Sequence, residues 1–176
     1  MKWGDSAATP FADGEFDVVA SALVIHFIPD RRQAFAEMKR VLAPAGLVGG
    51  YTWKREGMKE FAAYAPMIAG IAAIGVEPPH SAPVEESSVD GMRASLHAAG
   101  YTDVAAIEIE VAQTFKSFDE YWEIQTIPFH RAGQAVQALD KPRRARLRDH
   151  LRATLVAPDG TITYSATAVA GKARKP

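Results

Sequence analysis

The side chains able to carry chemistry are few and widely spaced. Five histidines (His26, His80, His97, His130 and His150) and no cysteine occur in 176 residues. Thiolate nucleophiles, disulfides and cysteine-based zinc sites are thereby excluded. No pair of histidines has H-x-x-x-H spacing, and no histidine and carboxylate are spaced as metal ligands, so no metal is expected. His26 follows an apolar run by one or two helical positions, where an imidazole could act as a general base because its ordinary pKa lies nearest neutrality. A partly buried helix-start histidine satisfied by backbone is the other reading of that residue. Gly4-Asp5-Ser6 reads as an Asx turn at a strand end. Trp53, Tyr121, Trp122, Phe129 and His130 could wall an apolar pocket holding a few placed polar groups, or they could be core and lid residues.

These residues need elements to position them. Phe16 to Ala22 (FDVVASA) is a short apolar run after Asp13-Gly14, the pattern of a strand buried on both faces. Gln33 to Leu42 has the period of an amphipathic helix starting near Pro29-Asp30 and closed by Pro44-Ala45-Gly46. Leu47 to Trp53 reads as a second strand, weakened at Gly49-Gly50 or opened there to another backbone. Strand, helix and strand make a parallel βαβ unit with a right-handed crossover. Ser88 to Ala99 is helical and stops at Gly100, and Thr102 to Phe115 alternates as a third strand. Ser117 and Glu120 form a capping box, Lys141 to Leu155 is a basic helix, and Thr161 to Val169 is a β-branched last strand. The fold class is α/β.

Composition narrows the partners. Twenty Lys+Arg against 21 Asp+Glu leave a net charge of −1, so no global field draws the chain to nucleic acid. The arginines of 141–155 (Arg143, Arg144, Arg146, Arg148 and Arg152) share their helix with Leu147, Leu151 and Leu155 at i, i+4, i+8. That spacing describes an amphipathic helix with a solvated basic face. The charge-free stretch Phe61 to Val76 is shorter than a membrane span and is broken by Pro66, Gly70 and Gly75. It reads as a buried or lid-like helical segment within about 56–80. No nucleic-acid or membrane partner is expected, and a cysteine-free chain without a leader pattern points to the cytoplasm.

Gly4, Asp5, Pro10, Phe11, Asp13, Gly14, Phe16 and Asp17 fit the pattern G-D-A-x-x-L-P-F-x-D-G-x-F-D, and Glu37-Met38, Arg40-Val41-Leu42, Pro44 and Gly46 fit E-M-x-R-V-L-x-P-G-G. In these motifs the chain resembles the class I S-adenosylmethionine (SAM)-dependent methyltransferases of the small-molecule type. Phe118-Asp119-Glu120-Tyr121-Trp122 and Ala168-Val169-x-Gly171 extend the likeness over most of the chain. Ser6, Thr9, Ala45 and Lys54 depart from it.

The resemblance implies one Rossmann-like methyltransferase domain over 1–176, a mixed sheet with helices on both faces that is incomplete at the N-terminal side. The family's first strand, glycine-rich loop and second strand would lie before Met1. It implies cofactor contacts at Asp5 and Ser6 toward adenine and at Ser21, Ala22 and Leu23 toward the methionine end, with SAM as cofactor and S-adenosylhomocysteine as product. His26 is then the candidate base, and Trp53, Tyr121, Trp122 and His130 flank a small-molecule acceptor. A non-catalytic binding or dimerisation module derived from a methyltransferase is the alternative. If the first strand is missing, strand 16–22 is an open edge. It would be met by a homodimer partner, by the Met1 to Phe11 segment, or by a longer chain.

Overall fold

A computed structural model describes residues 4–55, 64–80 and 84–176. Strand β1 (Phe16–Ala22) leads through a short helical turn, Ile25–Phe27, to helix α1 (Arg31–Val41) and directly into strand β2 (Leu42–Trp53). Helix α1 starts where Asp30 Oδ1 accepts from the Gln33 amide at 2.9 Å, which satisfies one of the free N–H groups of a first helical turn. β1 and β2 pair in parallel, with Val19 opposite Val48 and Ala22 opposite Tyr51. The expected βαβ unit is therefore present. Strand β3 (Thr102–Phe115) and strand β4 (Ile162–Arg174) complete a mixed sheet of order β1-β2-β4-β3, with β4 antiparallel to β2.

Among the described residues β1 is an edge of the sheet, and the exposure of its side chains corrects the sequence reading of a strand buried on both faces. Val18 is 58% exposed, and Ala20 and Ala22 are exposed as well. The apolar character of a run records what it can bury. It does not record whether a neighbour is present to bury it. β4 also runs five residues beyond the expected Val169, because Leu47 to Trp53 pair along it from Arg174 to Ala168.

The described chain divides into two compact units. The first comprises Met1–Glu56, Val84–Ile109 and Thr167–Pro176. Its core joins Phe35 of α1, Leu42 and Val48 of β2, Val169 and Ala173 of β4, and Met92 and Leu96 of a helix, α3 (Val89–Ala98). The second comprises Gly57–Pro83 and Glu110–Ala166. It holds α2 (Ala65–Ala73), α4 (Phe118–Gln125), α5 (Arg131–Ala138) and α6 (Lys141–Leu155). Met67, Ile71, Tyr121, Val136, Leu147 and Leu151 are buried together there. The Ser117–Glu120 box forms with one difference. Ser117 Oγ accepts from the Glu120 amide at 3.2 Å, while Glu120 Oε2 accepts from the Lys116 amide at 2.7 Å, one residue ahead of the expected partner. Helix α2 falls within the 61–76 stretch, and the 56–63 part of the lid-like segment lies outside the described residues.

Ala45 stands where the resembled motif has its first glycine, and it has φ 60°. A left-handed conformation costs an L-residue roughly 1–2 kcal/mol, partly offset by the entropy glycine loses on folding. Ala45 is exposed, so little packing is at stake. Ala45→Gly should raise stability by about 0.5–1 kcal/mol in urea denaturation.

Candidate functional site

The carboxyl ends of parallel strands are where open α/β sheets leave a crevice for ligands. Here that end is built by Ser21, Ala22 and Leu23 of β1 and its exit, and by Gly50 and Tyr51 of β2. The chain leaves β1 through Leu23 at φ 54°, a conformation leucine rarely adopts, and the Leu23 amide donates to the Tyr51 carbonyl at 2.9 Å. The bend turns the backbone into the 25–27 helical turn. Gly50 permits the close approach. A Cβ there would stand 3.1 Å from Ile25 Cδ1 and 3.2 Å from the Ser21 carbonyl oxygen, whereas a Cβ at Gly49 would meet nothing within 4 Å. Val24, Phe27 and Tyr51 remain 48%, 58% and 42% exposed around this end, an apolar rim of the kind small-molecule sites use.

His26 lies on the helical turn that follows this strand end. Its Nδ1 lies 2.9 Å from Oγ1 of the fully buried Thr52, and Phe27 stands against its ring at a centroid distance of 4.1 Å. Burial, helped by the Arg55 cation, holds its pKa down at about 4. The imidazole is therefore neutral across the physiological range and a weaker base than a free imidazole. The unfolded chain takes up that proton near pH 6.5 and the folded chain only near 4. Stability should accordingly fall as pH drops from about 6.5 to 4 and change no further below that, through this group. For a half-buried imidazole the loss is on the order of 1–2 kcal/mol. His26→Gln should flatten that limb of the stability–pH curve measured by urea denaturation.

Asp5 and Ser6 lie on the loop preceding β1. Asp5 Oδ1 accepts from the Ala7 amide at 2.9 Å and its carbonyl accepts from Ala8 at 3.0 Å, so the Asx turn read from the sequence is present. It engages one carboxylate oxygen, Oδ1. Ser6 borders a groove of about 270 Å³ together with Thr9, Phe11, Phe16, Val18 and Met38. The groove joins the Asp5–Ser6 loop to β1 within the first unit.

The four acceptor-pocket residues are not gathered in one unit. Trp53 ends β2 in the first; Tyr121, Trp122 and His130 belong to the second. Tyr121 is 1% exposed, set edge-on to Phe115 in the core, and its hydroxyl has no hydrogen-bond partner among the described residues. Burial raises its pKa. Trp122 stacks on Phe118, and the guanidinium groups of Arg144 and Arg148 lie 5.8 and 5.9 Å from its ring centroid. His130 caps α5, with Nδ1 accepting from the Gly133 amide at 3.0 Å, and its ring stacks on Tyr64 at 4.0 Å. Arg148 and Arg152 of α6 both bond Asp119 Oδ1, at 2.8 and 3.0 Å. Much of the basic row is thus engaged with α4. Sequence reasoning missed Thr52, an unremarkable β-branched residue in a strand, and Gly50 was separable from Gly49 only in three dimensions.

Residues 2–49 match the family model described as the methyltransferase domain. This segment contains the Asp5–Ser6 loop, β1, the His26 turn and most of β2. An uncharacterized Mycobacterium tuberculosis protein is 45% identical over 53 residues, which cover 30% of this chain and 19% of that protein. A rice protein assigned as a chloroplast tocopherol O-methyltransferase is 42% identical over 50 residues, covering 28% of this chain and 14% of its own length. The chain thus spans under a fifth of the curated relatives it matches. Among solved structures, a methyltransferase candidate of an antibiotic biosynthesis pathway from Anabaena variabilis superposes with a TM-score of 0.55 at 17% identity, covering 95% of this chain and 70% of that one. A methyltransferase candidate from Bacillus halodurans gives 0.52 at 16% identity, with 98% and 70% covered. At such identities the likeness establishes the fold, and it is the Rossmann-like methyltransferase fold. Among the described residues no helix is long and apolar enough to cross a membrane.

Proposed function

We propose that this chain serves methyl transfer from SAM to a small organic acceptor. The observation that carries the reading is that the segment matching the methyltransferase domain holds both the strand end at Ser21–Leu23 and a loop, bordering a groove along β1, whose Asp5 accepts the Ala7 amide at one carboxylate oxygen. That donor set suits the cofactor. Asp5 Oδ2 can accept from an exocyclic amine, the neighbouring Ser6 amide can donate to a ring nitrogen, and Gly50 lets Ser21 and Ile25 lie close against β2. When bound, SAM supplies an electrophilic methyl on a sulfonium and departs as neutral S-adenosylhomocysteine.

The protein's own part is positioning and exclusion of water. Asp5 and Ser6 hold the adenine end, and Ser21, Ala22 and Leu23 line the methionine end. His26 is the candidate base by its place at this strand end, and the burial that keeps it neutral makes it a weak one. Of the four acceptor-side residues, Trp53 shares a unit with the crevice and is the one proposed to meet the acceptor. Calorimetric titration with S-adenosylhomocysteine tests the reading. Micromolar binding supports it over a non-catalytic module, and the absence of heat at millimolar ligand overturns it. A cytoplasmic location accords with the lack of cysteine.

Assembly follows from the open edge of β1. No Lys or Pro interrupts Val18 to Ile28, the devices that usually discourage edge pairing. Antiparallel self-pairing about a two-fold axis at Val19 would set Asp17 opposite Ser21 and Val18 opposite Ala20, with no like charges facing. An isologous homodimer through 16–22 is therefore proposed. Light scattering after size exclusion should give the dimer mass, and Val19→Pro should give the monomer. A wild-type monomer with rapidly exchanging Val18 to Ala20 amides would contradict it.

A further inference from the structure

The loop carrying Asp5 and Ser6 lies beside a sheet edge, so the sheet gives its backbone little support. Two side chains of α1, one turn apart, hold it instead. Glu37 is 6% exposed, and its Oε1 accepts from both the Thr9 amide and the Thr9 hydroxyl at 2.7 Å. Arg40 Nη2 donates to the Phe11 carbonyl at 2.8 Å, and Nη1 pairs with Asp13. The two also hold each other, Arg40 Nε on Glu37 Oε2 at 2.8 Å and Nη2 on Oε1 at 2.7 Å. The Arg40 carbonyl accepts from the Gly14 amide at 3.0 Å. The loop is thus fixed at 9, 11, 13 and 14, and Asp5 and Ser6 are carried at its far end. The Arg40 guanidinium, followed by the Thr9 hydroxyl and amide, keeps the Glu37 carboxyl well below the usual carboxylate range, at about 2, against its burial. The clamp is ionised across the physiological pH range.

We propose that Glu37 and Arg40 are positioning residues that give this site its selectivity for an amino-substituted purine, resting on the cofactor reading above. The Asp5 carboxylate and the Ser6 amide form an acceptor–donor pair that fits adenine. A hypoxanthine ring reverses both partners, and reversed hydrogen-bonding groups are rejected only when the protein groups cannot move to suit them. The clamp withholds that freedom. Neither residue need touch the ligand.

The test compares S-adenosylhomocysteine with S-inosylhomocysteine by calorimetry in wild type, Glu37→Gln, Arg40→Met and the milder Thr9→Val, which keeps the ion pair intact. Wild type should prefer the adenine compound by at least about tenfold. Glu37→Gln and Arg40→Met should bring that preference down to within about threefold of unity, with Thr9→Val between. Amide exchange at Val48 and Val169 reports that the first unit's core is intact. A preference that survives in the variants while affinity for both compounds falls overturns the positioning role, since general loosening would do that. Equal wild-type affinity for the two compounds overturns the selectivity. Wild type binding neither overturns the cofactor reading, and the positioning role falls with it.

Discussion

Gly50→Val should weaken binding of S-adenosylhomocysteine by at least about tenfold and cost about 1–3 kcal/mol of stability, the usual range for overpacking a well-filled site. The expectation comes from what a side chain would strike. A Cβ at 50 stands 3.2 Å from the Ser21 carbonyl oxygen, which is backbone of β1, and 3.1 Å from Ile25 Cδ1. Valine adds two methyl groups beyond that point, so β1 or the 25–27 turn must yield, and both form the crevice. Gly49→Val provides the contrast, since nothing lies within 4 Å of its Cβ. That variant should bind nearly as wild type does. Calorimetry and urea denaturation on the pair separate a steric effect at the crevice from the general consequence of replacing a glycine in a strand. Equal behaviour of the two variants would contradict this account of the crevice.

The second large effect lies in the other unit. Leu151→Ala should cost about 2–5 kcal/mol, as large-to-small changes at fully buried positions do. Leu151 is 1% exposed, and α2 comes so close to α6 that a Cβ on Gly70 would stand 2.6 Å from Leu151 Cδ2 and 2.9 Å from Leu147 Cδ1. Gly70→Ala alone should therefore destabilise by about 1–3 kcal/mol through overpacking. Combined, the new methyl enters space the leucine vacated, so the double variant should lose clearly less than the sum of the two single losses. Urea denaturation of the four proteins measures the coupling. Additive losses would show that α2 and α6 do not meet at Gly70.

Much of the first unit was legible in the sequence because its signals are local. The Asp30 cap, the period of 33–42 and the apolar run 16–22 each specify an element within a dozen residues, and together they specified a parallel βαβ unit. What could not be read was exposure. FDVVASA has a fully buried composition, yet Val18 is 58% exposed, because a strand side chain is buried by what packs over its face of the sheet and not by the run itself. Helix α5 escaped notice because its cap is His130, whose Nδ1 does the work usually left to Ser, Thr, Asp or Asn. The candidate site is proposed from motif residues such as Asp5 and Ser21, whereas Thr52 beside His26 and Glu37 beside Thr9 emerge only from tertiary contacts. Tyr121 and Trp122 show the converse. Adjacent aromatics suggest a pocket wall, but one is core and the other lies beneath the guanidinium groups of α6.

The claim at the centre of this account is that the Asp5–Ser6 loop and the carboxyl ends of β1 and β2 form one cofactor site. Amide-resolved NMR of the isotopically labelled chain, titrated with S-adenosylhomocysteine, tests it most directly. The predicted result is saturable shifts at Ser6, Ala22, Leu23 and Tyr51, with Val136, Leu147 and Leu151 unmoved. Shifts confined to the second unit, or none at any concentration up to millimolar, would contradict it.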